Sequence, residues 1–224
     1  MQRLSVKIGF AILIISYLAS FIISYLLIPA GSYTLEEYLI SPAFIAVQGT
    51  FAGSMLLLTL LLSRIQGFKI REFGFDWGIR RIALGAALGF GMFLLERTGY
   101  HLLQDYIGES QLQRALIEAA RSEQGLVVML LVGAVLAPVS EEVYFRGYML
   151  TAISDKLGVK AGILLSSAYF AAVHFDMKAF IPIFFLGTIL AYVYARTSSI
   201  AIVIVAHTVI NSTTFLLSYL GMEV

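Results

Sequence analysis

The sequence predicts an all-α fold, a polytopic membrane helix bundle of 7–8 transmembrane helices with one or more interfacial amphipathic helices, and three observations carry that prediction. Hydrophobic residues make up 59 % of the 224 and charged residues only 13 %; an ordinary soluble domain has roughly 45–50 % and 25 %. The apolar residues fall into runs near the length of roughly 20 residues that a helix needs to cross a hydrocarbon core about 30 Å thick. Lys and Arg gather between those runs. A net charge of +1 with no basic stripe leaves a nucleic acid nothing to bind, so the expected partners are membrane lipids and a membrane-borne substrate. With no Cys, disulfides, iron–sulfur clusters and thiolate metal sites are excluded.

Each element follows from the chain in order. Ile8 to Leu27, after the basic start Arg3 and Lys7, is too long for the apolar core of a secretory signal and reads as a retained first span. A connection with Glu36 and Glu37 leads to the second span, Pro42 to Leu62. From Ser63 to Arg81 the cations Arg64, Lys69, Arg71, Arg80 and Arg81 alternate with Phe68, Phe73, Phe75 and Trp77, a composition the headgroup layer favours. Ile82 to about Leu95 or slightly beyond forms a Gly- and Ala-rich third span suited to close helix contact. Its exit holds Glu96, Arg97 and His101, none of them assigned to a site. Ser110 to Glu123 has helical spacing of Leu112, Ala115, Leu116 and Ala119, with Ser110 and Gln113 placed for a capping box; it is the expected interfacial helix. Four more spans follow: Leu126 to Met149, Val159 to Phe175, Phe180 to Ala195 and Ile200 to Leu220. The whole is one membrane domain, 1–224, divided into N-terminal spans and interfacial segments (1–124) and helices that carry the chemistry (125–224). The basic connections alternate onto one side, so the N-terminus is expected in the cytoplasm.

Charge at membrane depth is expensive, about 2.5–3.5 kcal/mol per group on insertion scales, and this chain places Glu141, Glu142 and Arg146 inside its fourth span. At about 100° per residue Glu142 and Arg146 share a face and can pair, which leaves Glu141 pointing elsewhere. In the fifth span Phe170 and His174 are four apart; in the seventh, His207 and Asn211 are four apart. At a rise of about 1.5 Å per residue, Glu141, His174 and His207 lie roughly 13, 22 and 12 Å from the cytoplasmic ends of their helices, close enough to share one cavity. A desolvated carboxylate serves as a general base. Glu141 with His174 is therefore expected to hold and deprotonate a water, and His207 with Asn211 to donate to the oxyanion formed at a carbonyl. Glu142 and Arg146 are expected to keep Glu141 oriented, with Phe170 as structural support. Glu141, His174 and His207 also make a two-His, one-carboxylate set for zinc. The metal-free reading, with no cofactor, is preferred because Asn211 beside His207 suits an oxyanion hole better than a ligand sphere.

Glu141-Glu142-x-x-x-Arg146, Phe170-x-x-x-His174 and His207-x-x-x-Asn211, in separate spans and in this order, resemble the CPBP (Abi) family of intramembrane endopeptidases, which includes the type II CAAX prenyl proteases. The resemblance covers Glu141 to Asn211. It implies about eight membrane helices, endopeptidase activity, water activation by Glu141 and His174, and oxyanion stabilisation by His207 and Asn211. The substrate it implies is a CAAX-type prenylated tail or a bacteriocin-like or lipidated peptide. The short connections look prokaryotic, which would place the chain in the plasma membrane. Embedded Glu, His and Arg also build ion relays, so a proton- or ion-coupled transporter is the alternative, although no internal symmetry or paired interrupted helices support it. A catalytically silent membrane scaffold is a third reading, against which the intact motifs speak.

Overall fold

A computed structural model describes residues 4–28, 33–108 and 110–222, without the side chains of residues 100, 101 and 103–107. Arg3 and the His101 side chain lie outside the described residues. Among these the chain is helical throughout, as α1 (Val6–Leu27), α2 (Leu35–Leu39), α3 (Pro42–Ile65), α4 (Ile79–Ile107), α5 (Gln111–Ala119), α6 (Glu123–Leu157), α7 (Val159–Ala172), α8 (Phe180–Thr197) and α9 (Ile200–Tyr219).

The ends follow local chemistry. Ile28, which precedes Pro29, is extended at φ −117°, because a following proline disfavours helical backbone. Ser41 accepts the Phe44 N–H and Pro42 occupies the first turn of α3, where a missing N–H costs nothing. Thr34 and Glu37 form a reciprocal capping box at α2, a helix too short to show in the periodicity. The exposed Glu37 carboxyl sits below its ordinary range because it accepts the Thr34 N–H. At α5 the Ser110 hydroxyl accepts the Gln113 N–H, as the spacing requires.

Among the described residues five helices are long and apolar enough to cross a membrane: α1, α3, α6, α8 and α9. The protein is therefore an integral, multi-pass membrane bundle. Three boundaries differ from the sequence-based expectation. The third span does not exit at Leu95; α4 continues to Ile107 because a single Gly99 costs a helix only about 1 kcal/mol, and the left-handed Gly108 ends it. The fourth span does not stop at Met149; α6 runs on to Leu157, where Gly158 at φ 85° breaks it. The fifth span does not reach Phe175. α7 has 14 residues, a rise of about 21 Å, and its last turn gives way at Val173.

α6 is the central helix. Every residue from Glu142 to Leu150 is buried, and Tyr144, Phe145, Tyr148 and Met149 meet Ile12 and Leu13 of α1, Met55 of α3, Phe170 of α7, Leu190 of α8 and Val203 of α9 in one apolar cluster. A smaller cluster at the opposite end joins Leu39, Phe44, Ala119, Met129 and Phe215. Phe68 and Phe73 belong to the large cluster rather than to a headgroup layer: Phe73 is fully buried against Gly147 and edge-on to Phe68, and only Trp77 of that aromatic set stays well exposed. Two buried hydroxyls of α3 are satisfied within their own helix, which suits an apolar interior: Thr59 and Ser63 each donate to the carbonyl four residues back at 2.6 Å.

Candidate active site

Glu142 and Arg146 lie where the backbone of α6 departs from α geometry, directly after the α-helical turn that ends at Glu141. Met129–Leu136 and Glu142–Leu150 are π-helical, a rare geometry that occurs often at functional sites. The four-residue spacing still carries Glu142 and Arg146 to one side, and Arg146 Nη1 lies 2.9 Å from Glu142 Oε1. That contact is a charge pair without hydrogen-bond alignment. Arg146 Nη2 donates to the Gly187 carbonyl of α8 at 3.3 Å, and its guanidinium sits 4.3 Å over the Phe170 ring. A Cβ at Gly187 would come 3.1 Å from that ring, a tight contact that glycine relieves where α8 packs over the pair.

Glu142 makes its close contacts with Arg146 and with His207. Its Oε1 accepts from Nδ1 of His207 at 2.8 Å, so one buried oxygen serves both Arg146 and His207. The helical wheel of α6 could not reveal this, because the partner comes from α9. The bond fixes the ring: with Nδ1 donating to a carboxylate, Nε2 is the nitrogen left for chemistry. Nε2 faces Glu141, whose Oε2 is 4.0 Å away. Exposure separates the two carboxylates, with Glu142 at 0 % and Arg146 at 1 % against 19 % for Glu141 and 13 % for His207. Glu142 is an internal brace; Glu141 is reachable.

His174 lies two residues past the end of α7 and not within a helix. Its Nδ1 meets the Phe170 carbonyl at 2.7 Å, which makes Nδ1 the protonated nitrogen and leaves Nε2 open. The Phe170 ring stands edge-on to both imidazoles, 4.9 Å from His174 and 6.1 Å from His207 between centroids. Phe170 is thus the apolar post that spaces the two histidines and carries Arg146 on its face. The next residue, Phe175, adopts φ 52°, which costs a non-glycine residue energy. Asp176 then fixes the turn, its carboxylate accepting from the Ser110 hydroxyl and from the N–H groups of Lys178 and Ala179. Those bonds, the Ser110 hydroxyl first, hold its carboxyl below the ordinary aspartate range.

Asn211 stands apart from the carboxylates. Its Nδ2 donates to the Gly133 carbonyl of α6 at 2.8 Å, which uses one of its two N–H groups. Among the described residues no three His, Cys, Asp or Glu side chains are placed to hold a metal ion together.

Two side chains the sequence reading passed over also face this region. The Tyr17 hydroxyl of α1 donates to the Val173 carbonyl at 2.9 Å and lies within electrostatic reach of Glu141. Its sign in the sequence is the polar ridge Ser16, Tyr17 and Ser20 on an otherwise apolar helix. Glu96, brought inside α4 by the longer helix, lies within electrostatic reach of His207.

Residues 123–213 match the model of a family described as type II CAAX prenyl endopeptidase Rce1-like. A protein of Bacillus subtilis (strain 168), named "Putative membrane peptidase YdiL", is 26 % identical over 167 residues, 73 % of this chain and 67 % of the relative. No solved structure matches the chain. The matched segment starts with α6 and ends within α9, so it contains all seven residues of the three motifs.

Proposed function

We propose, from the match of residues 123–213 to the type II CAAX prenyl endopeptidase Rce1-like model, that the chain is a member of that family and hydrolyses a peptide bond of a membrane-associated substrate with a water activated by Glu141 and His174. The observation that carries the reading is the division between the two carboxylates: Glu142 is spent inside the protein, and Glu141 is left accessible 4.0 Å from a fixed imidazole nitrogen. Water bound between Glu141 and His174 Nε2 gives a proton to Glu141 and attacks the scissile carbonyl. The oxyanion takes hydrogen bonds from His207 Nε2–H and from the second N–H of Asn211. Glu141 then passes its proton to the departing amine. Charges balance when His207 carries both ring protons, since two carboxylates then face one guanidinium and one imidazolium. No step uses a metal, and the substrate is a prenylated or otherwise lipidated tail, or a bacteriocin-like peptide, held at the cytoplasmic side of a plasma membrane.

The test compares wild type with Glu141→Gln on prenylated and acylated peptides in detergent. Wild type should cut, and the variant should lose about 10²–10⁴-fold, the usual worth of a general base. Equal cleavage by both removes Glu141 from the mechanism, and pH-dependent ion flux in proteoliposomes without peptide product favours a transporter. Cleavage should survive chelation; stoichiometric zinc whose removal abolishes it would overturn the metal-free route.

A further inference from the structure

In the first π segment of α6, hydrogen bonds run five residues back, and the Ala137 N–H bonds the Val132 carbonyl. In that register the next carbonyl, that of Gly133, should receive the N–H of residue 138. Residue 138 is a buried proline and has no N–H. The donor one position nearer, on Ala137, is already committed to Val132. Gly133 thus carries an acceptor that this register of its own helix does not serve. The donor comes from 78 residues further along the chain: Asn211 Nδ2, at 2.8 Å.

That bond orients an amide. With its nitrogen on the Gly133 carbonyl, Asn211 cannot rotate its oxygen into the same place without setting two acceptors against each other. Among the described residues its other N–H and its Oδ1 have no hydrogen-bond partner. Asn211 is one helical turn beyond His207 on α9, and Pro138 precedes Glu141 by three residues on α6, so the vacated carbonyl links the helix of the carboxylates to the helix of the imidazole.

We propose that Pro138 is a positioning residue for Asn211: by withholding an N–H from Gly133 it creates the acceptor that holds the Asn211 amide in one orientation with its second N–H free to donate. The catalytic side of this proposal rests on the oxyanion role given to Asn211 above; the link itself does not.

Four full-length proteins test it in detergent: wild type, Pro138→Ala, Asn211→Ala and the double variant. Asn211→Ala should lower the melting temperature with Pro138 present, and by less than half as much in the Pro138→Ala background, where residue 138 can bond Gly133 itself. Additive shifts overturn the link. In cleavage, Pro138→Ala should reduce kcat about 10²-fold with little change in KM, as for a misplaced catalytic group, and Asn211→Ala should add little on top. An unchanged kcat overturns the positioning role. A wild type that cuts nothing while the melting shifts are non-additive rejects the peptidase reading and retains the link. Should Pro138→Ala not fold, Asn211→Asp keeps the shape without the donor and must melt below wild type; an equal melting point overturns the bond.

Discussion

A carboxylate with no exposed surface is tolerated only while its charge is answered, and Glu142 is answered by Arg146 at 2.9 Å and His207 at 2.8 Å. Removing one partner of a buried pair costs about 3–5 kcal/mol, because the other charge stays behind. Glu142→Ala should lose stability of that order in chemical denaturation of the detergent-solubilised protein, with Arg146→Ala close behind it. Glu141 has one 4.0 Å contact and is partly exposed; such a pair is worth about 0–1 kcal/mol. Glu141→Gln should therefore unfold almost as wild type does while it loses cleavage. If Glu141→Gln unfolds as readily as Glu142→Ala, both carboxylates are structural. Legibility at this scale divided along the same line. The pairing of Glu142 with Arg146 follows from spacing within one helix, whereas the bond from Glu142 to His207 depends on how α9 is rotated against α6, which no wheel drawn for either helix contains.

Between elements, the turn after α7 is tied down from outside the membrane spans. Asp176 joins it to α5 through Ser110 and to α8 through the N–H groups of Lys178 and Ala179. Because these bonds depress the folded-state pKa of Asp176, its contribution to stability is complete above the unfolded value near 4 and is lost as pH falls below that through the folded value. Melting curves from pH 6 downward should show an acid-induced loss in wild type that is smaller in Asp176→Asn; equal losses would mean the turn is held some other way. The α4–α9 contact makes a second prediction. A Cβ at Gly89 would come 2.4 Å from the Ala206 carbonyl oxygen, one residue before His207, whereas a Cβ at Gly91 meets nothing within 4 Å. Gly89→Leu should cost about 1–3 kcal/mol by overpacking and reduce cleavage with it, and Gly91→Leu should do neither. The Gly- and Ala-rich composition of this stretch predicted a close helix contact, but not that its partner would be the histidine helix.

At the scale of the whole molecule, composition and run length were enough for the class, a multi-pass helical bundle, because burying apolar side chains in lipid needs no particular partner. Run length failed where backbone rather than hydropathy sets the boundary, at the continuation of α4 past Glu96 and the early end of α7 before His174. The clearest large-scale signal is the placement of cations, and the fold gathers it. Ser5, at the head of α1, gives its N–H to Gln66 at the end of α3, and Tyr148 of α6 donates to the Ser5 carbonyl. Gly74, in the α3–α4 connection, touches Ser198 in the α8–α9 turn. The start of α1 with Lys7, the connection with Lys69 and Arg71, the end of α6 with Lys156 and the turn after Arg196 therefore share one end of the bundle. An excess of Lys and Arg in short connections marks the cytoplasmic side, so that end should face the cytoplasm and α2 with α5 should face away. The chain has no Cys, so single cysteines report position without background. In intact cells an impermeant maleimide should label a cysteine at Glu36 or Glu123 and should reach one at Lys69 or Lys156 only after permeabilisation. The reverse pattern would invert the protein and put Glu141 within reach of substrates from the other side.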